Sequence, residues 1–102
     1  REHMAKVAAL TSDMVITQPV IYELKNLKMP TVLMIGDRDR TAIGSNLVAP
    51  EVAKNMGRYD LLAPKIKKMI PRSQLIVFKN IGHLPHIEVP DQFQKELSQF
   101  IK

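Results

Sequence analysis

An α/β fold built on a parallel strand pair is what this sequence predicts, and three features predict it. Two β-rich runs, Thr31 to Ile35 and Gln74 to Lys79, flank a stripe of apolar residues at helical spacing. A second amphipathic helix closes the chain. Each run also delivers polar chemistry at its carboxyl end, Gly36-Asp37-Arg38-Asp39 after the first and Asn80-Ile81-Gly82-His83 after the second, which is where open α/β sheets gather ligands and catalytic groups.

In chain order, Met4 to Leu10 predicts a short helix, with Met4, Val7 and Ala8 on one side and Thr11-Ser12-Asp13 ending it. The pattern from Met14 to Lys28 is mixed and broken by Pro19; Val20 to Leu24 is expected to be extended and Lys25 to Lys28 a connector. Pro30 cannot donate to a ladder and suits a strand's first position. The run Thr31 to Ile35 is apolar without alternation, as in a strand covered on both faces, and Gly36 breaks it. Thr41 to Ala49 is irregular. Pro50 to Met56 predicts a two-turn helix with Gly57 beyond its end.

Leu62, Ile66, Met69 and Ile70 fall at i, i+4, i+7 and i+8, the spacing of a helix that covers a sheet. Pro64 then has to lie in that helix's first turn, and Pro71 stops the helix before the second strand. Strand, helix, strand implies a parallel pair joined by a right-handed crossover. Pro90 opens the last helix, with Phe93, Leu97, Phe100 and Ile101 on one face and Gln92, Gln94, Lys95, Glu96, Gln99 and Lys102 on the other.

At 102 residues, 45% hydrophobic and 25% charged, the chain is expected to form one soluble globular domain. No apolar run approaches the roughly 20 residues of a membrane span, so no membrane partner is expected. The absence of cysteine excludes a disulfide framework, a thiolate nucleophile and cysteine-ligated zinc. The net charge of +5 is concentrated partly in Lys65, Lys67, Lys68 and Arg72. These lie on the polar side of a helix without interleaved aromatics, and a solvated face explains them as well as a nucleic-acid surface does, so no nucleic-acid partner is expected.

An aspartate after one strand and a histidine after its parallel neighbour can meet without distorting either strand. Such a pair is the acid and base half of a nucleophilic triad: the carboxylate accepts the Nδ1 proton, fixes the tautomer and stabilises the imidazolium. Asp37 and Asp39 are both candidates for the acid, and His83 for the base. His86, past Leu84-Pro85, is expected to be structural or exposed. Glu88 is expected to support the loop or the start of the last helix. The histidine spacing is not that of a helical metal pair, so neither metal nor cofactor is expected.

Met29-Pro30-Thr31 through Gly36-Asp37-Arg38-Asp39-Arg40, then Ile70-Pro71, then Gly82-His83-Leu84-Pro85-His86-Ile87-Glu88 with Pro90 and Phe93, resemble the carboxyl-terminal part of the α/β-hydrolase superfamily. The resemblance covers Asn26 to Lys102. It implies that Asp39, the last residue of a Gly-x-x-Asp pattern, is the triad acid, and that His83 of the Gly-His pair is the base. It implies a C-terminal βαβα part of the fold, with residues 1–28 the end of a cap region and connector, and 29–102 the last two core strands and their helices. It also places the Thr41 to Gly57 insertion beside the active-site mouth.

The departure from that family is the nucleophile. No Gly-x-Ser-x-Gly elbow surrounds Ser12, Ser45, Ser73 or Ser98, and there is no His-Gly-Gly stretch for an oxyanion hole. The expectation is therefore a hydrolase acting on a small-molecule, ester-like substrate, of which these residues supply the acid and the histidine and are inert alone. A non-catalytic ligand-binding or interaction module of the same fold is the alternative, and a free-standing nucleic-acid-binding domain a third reading. Two strands leave sheet edges unpaired, so the isolated chain is expected to self-associate or to belong to a longer one.

Overall fold

The computed structural model describes residues 1–102. Helix α1 (Glu2–Thr17) is followed by a 3-10 segment (Ile21–Asn26), strand β1 (Thr31–Gly36), a 3-10 turn (Ser45–Leu47), helices α2 (Pro50–Ala53) and α3 (Tyr59–Met69), strand β2 (Ser73–Phe78), and helices α4 (Pro85–Glu88) and α5 (Pro90–Ile101). The two strands run parallel, in register from Thr31 opposite Ser73 to Gly36 opposite Phe78.

Alternation along the strands sends side chains to two faces. Leu33 and Ile35 share a groove with Tyr59, Leu62, Ala63 and Ile66 of α3, so α3 covers that face, and Ala63 and Ile70 are buried there. Phe78, fully buried at the end of β2, points the other way and meets Phe93 of α5 with ring centroids 6.4 Å apart. Helices thus lie on both faces of the pair, the layering expected of a parallel sheet.

Four local expectations are corrected. Helix α1 runs on to Thr17 instead of ending at Thr11-Ser12-Asp13. The hydroxyls of Thr11 and Thr17 bond back to the carbonyls of Val7 and Asp13, so they do not compete for the backbone. The stop is Pro19, which excludes Gln18 from helical ψ. Ile21–Asn26 is a 3-10 helix and not extended. The Pro50 helix is a single turn followed by turns to Gly57.

Pro64 is the fourth. It is the sixth residue of α3 and not in the first turn, because the helix starts at Tyr59, upstream of the apolar stripe. Lacking an N–H, it leaves the Asp60 carbonyl without its intrahelical donor.

Much apolar surface stays open. No residue of α1 is buried, and Met4, Leu10, Ile16 and Val20 are more than half exposed. A groove of about 410 Å³ between the Ile21–Asn26 segment, β1 and α3 is wholly apolar.

Candidate active site

The carboxyl ends of both strands form one structure. Beyond Gly36 the ladder continues irregularly: Asp37 N–H donates to the Phe78 carbonyl at 3.1 Å, Arg38 N–H to the Ile81 carbonyl at 3.0 Å, and Asp39 N–H turns back to the Gly36 carbonyl at 3.1 Å. The Ile81-Gly82 backbone crosses directly over Gly36, and a Cβ there would collide with both carbonyl oxygens. Glycine is required by that crossing, which carries the second loop over the first.

Asp37 and Asp39 separate into different roles. Asp37 Oδ1 accepts the N–H of Asn80 at 2.7 Å, and Asn80 has a left-handed φ of 62°. Asn80 Oδ1 in turn accepts from Arg38 Nη1 at 3.3 Å. Asp37 therefore ties the two loops together. Asp39 is buried, with 6% of its surface exposed. Its Oδ1 accepts the Thr41 N–H at 2.9 Å, and its Oδ2 lies 2.7 Å from His83 Nδ1.

Burial pushes the Asp39 carboxyl upward, but the hydrogen bonds from His83 and Thr41 outweigh it and hold the group below its ordinary value. An ionised carboxylate can only accept, so the proton between the two residues belongs to Nδ1. That assignment leaves Nε2 as the free, basic nitrogen. The His83 side chain is 55% exposed.

Glu88 supports the histidine loop: both of its carboxylate oxygens accept the Gly82 N–H, at 3.2 and 3.0 Å. His86 is exposed and packs against Phe93 with its ring tilted by 57° and centroids 5.8 Å apart, outside the Asp39–His83 pair. No three His, Asp or Glu residues converge as metal ligands. The apolar groove is lined by neither Asp39 nor His83.

Sequence reasoning did not find the residues that brace the acid turn. Arg40 Nη1 donates to the carbonyls of Asp37 and Asp39, at 3.3 and 2.9 Å, and lies 3.6 Å from Asp60 Oδ1. Arg58 grips Asp60 through two bonds of 3.0 and 2.9 Å. Tyr59 Oη donates to the Thr41 carbonyl at 2.9 Å. The one sequence signal was Gly57 followed by Arg58-x-Asp60, a turn glycine ahead of oppositely charged residues two apart.

No family model matches the chain. It is similar to a probable hydrolytic enzyme from Pseudomonas aeruginosa PAO1, with 41% identity and a TM-score of 0.89 over 92% of this chain and 30% of that one. An α/β-hydrolase enzyme from a lagoon-sediment metagenome of Mar Chica, Morocco, aligns over 92% of this chain and 36% of its own at 24% identity and a TM-score of 0.62, a likeness of fold. Lipase 1 of Psychrobacter immobilis is 31% identical over 65 residues, 64% of this chain and 16% of the lipase. The chain therefore spans about a third of the two solved structures and about a sixth of the lipase.

Proposed function

Because this chain is a carboxyl-terminal portion of the α/β-hydrolase fold, we propose that the protein it belongs to is a hydrolase of a small ester-like molecule, with Asp39 the acid and His83 the base of its triad. The observation that carries this reading is the 2.7 Å contact between Asp39 Oδ2 and His83 Nδ1. It is made by a buried carboxylate whose second oxygen is already satisfied by Thr41.

In the reaction, His83 Nε2 removes a proton from the nucleophile as it attacks the substrate carbonyl, then returns it to the leaving group. Asp39 keeps the Nδ1 tautomer and stabilises the transient imidazolium. The nucleophile and oxyanion donors come from other parts of the protein, so residues 1–102 alone are inert. In the same reading residues 1–28 are the end of a cap and its connector, which agrees with α1 burying none of its residues here.

Treating the longer protein with a fluorophosphonate and weighing it tests the reading. The expected result is one covalent adduct on a serine outside these residues, formed far more slowly in His83→Gln. A protein that takes no adduct and hydrolyses no ester is a ligand-binding or interaction module instead.

A further inference from the structure

The first turn of α3 reaches the acid turn at the residue that holds Asp39. Thr41 is gripped at both ends: its N–H donates to Asp39 Oδ1 at 2.9 Å, and its carbonyl accepts from Tyr59 Oη at 2.9 Å. The half-buried Tyr59 ring lines the apolar groove beside Ile35, Leu62, Ala63 and Ile66 while its hydroxyl reaches Thr41. Gly57, at φ 63°, brings the start of α3 so close to the Arg40 backbone that a Cβ would collide with it.

We propose that Tyr59 is a positioning residue for the triad acid: by holding the Thr41 carbonyl it fixes the Thr41 N–H on Oδ1 of Asp39 and so leaves Oδ2 aimed at His83. This rests on the reading of Asp39 and His83 given above. The charged groups around the turn are Asp37, Asp39, Arg40, Arg58 and Asp60, with the titratable His83 beside them. Burial, and then the negative charge of Asp39, raise the Tyr59 pKa. The phenol therefore stays protonated and available as a donor.

A purely packing role would be served equally by phenylalanine, which keeps the ring in the groove. Tyr59→Phe removes only the oxygen. The Thr41 carbonyl, part of the Thr41–Ala42 peptide, then loses its side-chain donor, and the Thr41 torsions that link it to the preceding N–H are less restrained. The bond from the Thr41 N–H to Oδ1 of Asp39, which favours the charged carboxylate, is thereby weakened.

Carbon-detected NMR titration of the Asp39 carboxyl, in the longer protein, reads this directly in wild type, Tyr59→Phe and His83→Gln. The proposal expects the Asp39 midpoint to rise by about half a unit in Tyr59→Phe, and the Thr41 amide proton to exchange about tenfold faster, the loss of one ordinary hydrogen bond. A Tyr59→Phe protein with lowered thermal stability but unchanged Asp39 midpoint and Thr41 exchange overturns it. A separate failure is recognisable: if His83→Gln does not raise the Asp39 midpoint, the acid–histidine pairing itself is wrong.

Discussion

Gly36 and Gly82 pass so closely that the carbonyl oxygen of Gly82 occupies the place a Cβ on Gly36 would need. The missing side chain at position 36 lets the loop after β2 fold over the turn after β1, and the approach of His83 to Asp39 follows from that crossing.

Gly36→Ala should therefore do more than lose a contact. Backbone is what the methyl would strike, and backbone moves only with its loop. Overpacking of this kind costs about 1–3 kcal/mol, and His83 should swing away from Asp39. Urea unfolding measures the first effect, and loss of the downfield His83 Nδ1 proton resonance reports the second.

Glu88→Ala should loosen the same loop from the other side. The Gly82 N–H would lose both carboxylate acceptors, a change expected to cost about 1 kcal/mol. In the longer protein kcat should fall about tenfold, as 1.4 kcal/mol of positioning would give, with KM little altered, because the loop orients the base and need not touch substrate. Steady-state kinetics on a chromogenic ester would separate the two constants.

Asp60 gives the turn an acid-sensitive support. Its carboxyl is held at about 2, against an ordinary 3.8, chiefly by the hydrogen bonds from Arg58. A depressed carboxyl stabilises the folded state above its unfolded pKa and loses that contribution as pH falls through the folded one. The support is thus fully present at neutral pH and vanishes between about 4 and about 2. Asp39, also depressed, adds to the loss in the same direction. Asp60→Asn should be less stable than wild type at neutral pH, and the gap should close as the pH approaches 2. Chemical denaturation across that range checks the sign.

The exposed sheet edges and apolar α1 surface predict that the chain, prepared alone, self-associates. Light scattering should give a mass above the 11.6 kDa of one chain, falling towards it at high dilution. A monodisperse monomer with sharp cooperative unfolding would contradict this.

The two strands were legible in the sequence because unbroken apolar runs bounded by Pro30, Gly36 and Pro71 leave few alternatives. That Asp37, Asp39 and His83 sit at the carboxyl ends of neighbouring strands was legible because each follows such a run, whereas the run does not tell which aspartate meets His83 and only the resemblance pointed to Asp39. Tyr59 was not. Its relation to Thr41 depends on where α3 begins, and the apolar stripe from Leu62 hides the first turn, which is set by the left-handed Gly57 and the Arg58–Asp60 pair. The extent of α1 was missed because its threonines bond back to their own helix, a choice that propensity alone does not reveal. The separate task of Asp37 was equally hidden, since it depends on Asn80, forty-three residues away.

The most direct test of the account is the turnover of an ester by the longer protein carrying Asp39→Asn. The account predicts a fall in kcat of about 10⁴, the cost of the same change in the serine-protease triad, with folding and substrate binding intact. A variant that turns over within a few-fold of wild type would show that Asp39 is not the partner of a catalytic histidine.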